Sequence, residues 1–154
     1  DAGADIDTLY QWAEANKRRL HHWFFTTDLT FFVKGGRVSK VSGWFGTVLK
    51  ICPLLNMNHE GKLIPREKVR TKQRVIKAIV EKMVANAYDG TNYSGKCFIS
   101  HANALEDAML TKEKIEQEFP ALVGKVQVFE IGNIIASHCG PGTVALFYMG
   151  DERV

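Results

Sequence analysis

The succession of hydrophobic periods along these 154 residues constrains the fold more than any single motif does. Residues 22–26 are aromatic and short, fitting a strand. Residues 51–57 and 62–69 read as two strands joined by the polar turn Asn58-His59-Glu60-Gly61, a hairpin. The period then changes. Val75, Ile76, Ile79, Val80, Met83, Val84 and Ala87 recur at helical spacing, with Lys72, Arg74, Lys77 and Lys82 on the other side. Strands at 96–100, 125–131 and 143–149 follow, the last a nearly continuous apolar run and so the most buried. Between the first two lies a helix opening at Asn103 and Glu106, in capping-box spacing, and stopped after Phe119 by Pro120. At the front of the chain, Asp5 can cap a helix whose stripe is Ile6, Leu9, Tyr10, Ala13, Lys17 and Leu20. Residues 28–33 read as one or two helical turns ended by Gly35-Gly36, and residues 41–49 as another short helix. A strand, a hairpin, and then strands alternating with helices predict an α/β fold. It is a two-layer domain with a mixed, about six-stranded sheet covered on one face by helices.

Composition bounds the chemistry. At 45% apolar and 24% charged the chain is ordinary globular material of one-domain length. Folding at this size buries about 70% of the accessible surface, enough for a core without staples. No stretch approaches the roughly 18–20 apolar residues of a membrane span, and no basic-then-apolar leader opens the sequence. Cys52, Cys97 and Cys139 are odd in number and form no CxxC pair, which reads as reduced thiols in a cytoplasmic protein. The chain opens on Asp1, not Met, as expected of a sequence cut from something longer. Net charge is only +3. The basic residues Lys62, Arg66, Lys68, Arg70, Lys72, Arg74, Lys77 and Lys82 nevertheless gather in one stretch, with Glu67 and Glu81 among them, and form a local positive face.

Two segments invite chemistry. Gly132 to Gly142 carries one ionisable imidazole, His138, ahead of a Gly140-Pro141-Gly142 turn between two apolar strands. Glycines permit close backbone approach, so N–H groups there can converge on a carboxylate or phosphate beside the imidazole. A tight loop whose histidine merely bonds a carbonyl is the plain alternative. Cys139 next to His138 does not make a catalytic dyad, because adjacent residues of an extended chain point to opposite sides. The second segment, Gly35-Gly36-Arg37, pairs a flexible turn with a planar cation suited to bidentate contact with an anion. His21 and His22 at a helix end, His59 in a turn and His101 after a strand have no metal-ligand spacing. No phosphate-binding glycine loop, dinucleotide fingerprint or serine elbow is present, so no cofactor is expected.

Five stretches in register over more than 100 residues resemble the DegV family of bacterial fatty-acid-binding proteins. They are Asp28-Leu29-Thr30-Phe31-Phe32-Val33-Lys34-Gly35-Gly36-Arg37-Val38-Ser39, Leu49-Lys50-Ile51-Cys52-Pro53-Leu54-Leu55, Glu60-Gly61-Lys62-Leu63, Lys68-Val69-Arg70 and His138-Cys139-Gly140-Pro141-Gly142. The resemblance implies a non-catalytic carrier that buries one long acyl chain. In the branch partnered with a fatty-acid kinase, the carrier presents the carboxylate for phosphorylation, a step toward phospholipid. Family members are about twice this length, and this chain is similar to their C-terminal domain. The missing N-terminal α/β domain carries a Thr-Ser-x-Pro-Ser loop that holds the carboxylate, and no such sequence occurs here. The resemblance carries over Arg37 and His138, with Gly140 and Gly142, as groups near the ligand head. Cys139 stands where the family commonly has a small hydroxyl residue, and Ile51-Cys52-Pro53 replaces a frequent Ile-Lys-Pro.

The carrier reading is physically sound by itself. Burying roughly fifteen methylenes gains on the order of 12 kcal/mol at about 0.8 kcal/mol each, before ordering costs reduce it. Such a ligand needs a long apolar slot and a mouth that satisfies one anion. Leu49, Ile51, Leu54 and Ile134, flanking the two glycine turns, are the expected slot-lining residues, and the basic face a place for a kinase partner. Two other readings remain: an enzyme for small acyl or phosphorylated substrates with His138 as general acid or base, and a nucleic-acid-binding regulator using the 62–82 face.

Overall fold

A computed structural model describes residues 3–35 and 51–153. Helix α1 (Ile6–Asn16) begins where the sequence puts it, with the Asp5 side chain accepting the Thr8 N–H at 2.8 Å. It stops one turn early. From Leu20 the chain is extended as β1 (Leu20–Phe25), because these aromatic and branched residues pair along their whole length with β6 (Thr143–Met149). His21 and His22, expected at a helix end, therefore sit in a strand.

Asp28 caps α2 (Thr30–Lys34), accepting the Thr30 N–H at 2.8 Å. The expected short helix at 41–49 lies outside the described residues. The hairpin forms as read, from β2 (Cys52–Met57) and β3 (Leu63–Val69), with a register shift at Leu54/Leu55. Helix α3 (Lys72–Asn86) is capped by Thr71 and buries Val75, Ile76, Ala78, Ile79, Val80 and Met83. Strand β4 (Phe98–Ala102) leads into α4 (Leu105–Glu118), then β5 (Gln127–Glu130), α5 (Asn133–Cys139) and β6. Asn103 does not cap α4. It takes a left-handed φ of 46°, which an N-cap residue does not adopt, and the cap position falls to Ala104 without a side-chain bond. Glu106 and Asp107 in the first turn complement the helix dipole instead.

The six strands form one mixed sheet in the order β3-β2-β1-β6-β4-β5, antiparallel throughout except for the β4–β5 edge. Strand alternation gives the sheet two faces. On one, Trp23, Phe25, Leu54, Ile99, Val144, Leu146 and Tyr148 meet α3 and α4 in the main core. On the other, Phe24, Leu55 and Ala102 meet Phe32 of α2 and Cys139 of α5 in a smaller cluster. The two expected layers are there, and these two short helices add a partial third at one end of the sheet.

The tail after β6 is stitched down by backbone and guanidinium bonds. Arg153 donates to the carbonyls of Met57, Asn58, Lys17 and Arg18, and Asp151 receives His21 Nε2 on its carbonyl at 2.8 Å. Burial, with Arg153 nearby, pushes both strand histidines down, His22 to about 4. Cys52, Cys97 and Cys139 are buried free thiols, and burial pushes each upward, Cys97 to about 12.

Two outcomes follow from this packing. Ile79→Ala, on the fully buried face of α3, lowers unfolding stability by about 2–5 kcal/mol in urea titration, whereas Ile134→Ala on exposed α5 stays within about 0.5 kcal/mol. The histidines set the acid limb. Their folded-state pKa lies below the unfolded value of 6.5, so the unfolded chain binds protons first as pH falls. Stability is complete above pH 6.5 and declines from there to about pH 4; thermal melts of His22→Gln across that window show a shallower decline.

Candidate functional site

The segment 132–142, expected as a loop, folds around α5. Its inward residues are Ala136 and Cys139, which join the smaller cluster against Phe24 and Phe32. Those two rings stack with centroids 5.6 Å apart, tying α2 to β1 beneath it. Since α5 is helical, His138 and Cys139 diverge by about 100° around the axis. Cys139 turns inward while His138 stays half-buried at the flank. The expected absence of a dyad thus stands on different geometry from an extended chain.

His138 lies one turn after Ile134 and Ile135, at i+4 and i+3, which are 78% and 61% exposed. Together they make a small face of two aliphatic side chains and one imidazole. The imidazole has no hydrogen-bond or ion-pair partner among the described residues.

The Gly140-Pro141-Gly142 turn fixes this face in place. Gly140 (φ 75°) ends α5 and Gly142 (φ 82°) enters β6, both in the left-handed region. A Cβ on Gly140 would land on the Phe31 ring of α2, and one on Gly142 on the Thr27 hydroxyl. Neither amide is free for an anion. Gly140 N–H donates to Ala136 O and Gly142 N–H to Ala102 O, both at 2.8 Å, so the expected convergence of these N–H groups on a ligand head is not how they are used. Thr143 adds a bond from its hydroxyl to Cys139 O at 2.9 Å. The glycines supply close approach, which holds α5 and His138 against the ends of β1 and β4.

The remaining expected residues separate. Ile51 borders the smaller cluster, on the His138 side of the sheet. Leu54 does not: it is fully buried in the main core under α3, and its neighbour Leu55 faces the α2–α5 side. Ile134 sits on the exposed flank of α5. Arg37 and Leu49 lie outside the described residues.

Sequence reasoning missed a row of rings on the same sheet face. His22 of β1 pairs across to Phe147 of β6, which pairs across to Phe98 of β4, and Phe98 lies 6.2 Å from Phe129 of β5. Each is only partly covered, and Phe129 is 50% exposed. The signal was present as alternation in each strand, but only the register aligns the four into one stripe. With its pKa pushed down, His22 is neutral at pH 7 and extends the row as an uncharged ring.

Beside the Pro141-Gly142 turn opens a cleft of about 410 Å³ lined by Thr27, Asp28, Lys72, Asn103 and the first turn of α4. It is polar. Buried Asp107 pairs with Lys72 at 2.9 Å, and that bond, then the carboxylate charge, raises the Lys72 pKa. Elsewhere in the basic stretch Lys62 pairs with Glu60, Lys77 with Glu81 and Lys82 with Glu67. This pairing weakens the field that a nucleic-acid reading requires. Among the described residues no group of three His, Cys, Asp or Glu could hold a metal, and no helix is long and apolar enough to cross a membrane.

The turn's dependence on glycine is directly measurable. Gly142→Ala lowers stability by about 1–3 kcal/mol in urea unfolding, from the left-handed backbone and the Thr27 clash together.

The geometry and the sequence find their counterparts among known proteins. A family model described as "Uncharacterised protein, DegV family" matches residues 1–151. DegV domain-containing protein CPE0026 of Clostridium perfringens is 34% identical over 154 residues, covering 98% of this chain and 50% of that protein. A solved structure titled as the fatty acid binding DegV family protein SAG1342 of Streptococcus agalactiae matches with a TM-score of 0.80 and 28% identity, over 97% of this chain and 51% of that one. The Streptococcus pneumoniae Fatty Acid Kinase (Fak) B3 protein, solved loaded with linoleic acid, shares the fold with a TM-score of 0.82 at 19% identity, over 98% of this chain and 52% of that one. The chain spans about half the length of the relatives it matches. With the sheet order, the glycine-locked turn and the family match in agreement, the chain belongs to the DegV family.

Proposed function

We propose that this chain is the acyl-holding half of a long-chain fatty-acid carrier, and that the natural protein adds an N-terminal α/β domain. One observation carries the reading: the sheet face that bears His138 is closed by short helices at one end and left as a partly covered row of rings over the rest. A ring-paved surface suits a methylene chain, and a half-buried imidazole without a partner among the described residues suits its carboxylate. The fatty-acid binding stated for SAG1342 supports it.

In this reading the acyl chain runs along the His22–Phe147–Phe98–Phe129 face, and His138 meets the head group together with Arg37. Ile51 and Leu55 border the path, with Leu49 joining from the same stretch. Ile134 and Ile135 form the lip of the mouth, completed by the other domain. Gly140 and Gly142 position the lip and do not bind the ligand. The carrier has no reaction of its own and needs no cofactor. A fatty-acid kinase is the partner that takes up the exposed carboxylate, in line with the name of the pneumococcal fold relative, and the cytoplasm is where both would meet.

The protein in its natural length, purified from cells and extracted with organic solvent, yields long-chain fatty acid in mass spectra at near one per chain. His138→Ala lowers palmitate affinity in calorimetric titration by about 10- to 100-fold, the loss of a charge-assisted hydrogen bond, without changing the melting temperature. A natural-length protein that carries no fatty acid and binds none on addition overturns the reading.

A further inference from the structure

Beside the row of rings, the strand register lays down a second row on the same sheet face. Leu55 of β2 stands across from Phe24 of β1, Phe24 from Ala145 of β6, Ala145 from Ser100 of β4, and Ser100 from Phe129 of β5. The two middle positions carry short side chains, while Phe24 and Phe129 rise on either side. Phe147 and Phe98, two residues along β6 and β4, close a third side. The fourth is α5, whose Ala136 and Cys139 share a cluster with Ala102 and Ala145. A ring-walled depression two strands wide results, about 10 Å across at the usual strand spacing. Its floor bears one hydroxyl, that of Ser100.

Thr26, Thr111, Ser137 and Thr143 each spend their hydroxyl on a backbone carbonyl. Ser100 does not: it is partly buried, and its hydroxyl has no hydrogen-bond partner among the described residues. A strand side chain stands off the pleat, so the partner for this group has to come from above the sheet. A plain methylene chain laid over it removes solvent and returns nothing, whereas a chain with an oxygen at that point completes the bond. We infer that Ser100 is a specificity-determining contact through which this chain favours fatty acids of the hydroxy-acid class over plain saturated ones. The inference rests on the carrier reading and deepens it. Ser100 is two residues along β4 from Ala102 in the α5 cluster, about 7 Å at the strand rise, so the matching oxygen falls in the half of the ligand nearer the carboxylate held beside His138.

Calorimetric titration of the delipidated natural-length protein tests it, with stearic acid, oleic acid and a series of hydroxystearic acids substituted at successive carbons as probes. The best-placed hydroxy acid binds about 10-fold more tightly than stearic acid, and the others bind no better than stearic acid. Ser100→Ala removes that preference from both sides, weakening the hydroxy acid and tightening stearic acid, with the melting temperature unchanged. Three results overturn the inference: equal affinity for stearic acid and every hydroxy acid, a preference that survives in Ser100→Ala, or oleic acid binding as tightly as the best hydroxy acid, which assigns selectivity to the bend of the chain. Stearic acid binding without preference refutes the selectivity and leaves the carrier standing. A protein that binds none of these acids refutes the carrier reading, and this inference with it.

Discussion

A sheet has two faces to remove from water, and this chain spends its long helices on one. Helices α3 and α4 seal that face so completely that Phe25, Leu54, Ile99, Val144, Leu146 and Tyr148 have no exposure. The other face receives α2 and α5, of 5 and 7 residues, which reach only one end. The imbalance is set by sequence at single-residue resolution. In β6, Val144, Leu146 and Tyr148 point to the sealed side, while Ala145 and Phe147 point to the partly open one. Because β6 is apolar on both sides, it is neutral as to which face is covered, and the helices decide.

On the open face, the imidazole of β1 is kept uncharged. His22 would be an ordinary titrating group on a surface, but burial against Phe147 and the positive Arg153 hold it neutral. The same guanidinium pins the chain terminus to the β2–β3 turn and to the foot of α1. One cation thus stabilises the sheet's lower rim and disfavours a second positive charge beside it. On the sealed side, Lys72 pairs with Asp107 and Lys82 with Glu67.

Much of this was legible in the sequence, and the misses share a cause. Helix α3 announced itself because seven apolar residues keep a helical period from Val75 to Ala87, and the hairpin because its turn is polar and its strands are not. Helix α5 was invisible because only Ala136 and Cys139 face inward, too few to form a period, and because flanking glycines read as loop. His138 was still singled out, as the one imidazole before a Gly-Pro-Gly turn. Leu54 failed for parity: choosing the slot side of a strand that is apolar on both faces is a guess between neighbours, and Leu55 is the one turned toward α5. Asn103 fits the capping pattern by residue type, yet its left-handed φ lets β4 turn sharply into α4, a tertiary demand that overrides the local preference.

The resemblance and the geometry together also explain why Gly140 and Gly142 belong to the family's motif although their amides are taken up by the Ala136 and Ala102 carbonyls. The turn must pass between Phe31 of α2 and Thr27 at the end of β1 with no room for a Cβ at either point. Any side chain there would push α5 away from the sheet, and with it His138. Among the described residues the imidazole beside Ile134 and Ile135 has no hydrogen bond of its own to hold it. Rigidity that the side chain cannot supply is supplied by the backbone on either side: the Thr143–Cys139 bond, the Gly142–Ala102 bond and the two contacts that only glycine permits. What positions this side chain is a helix of 7 residues wedged by a three-residue turn.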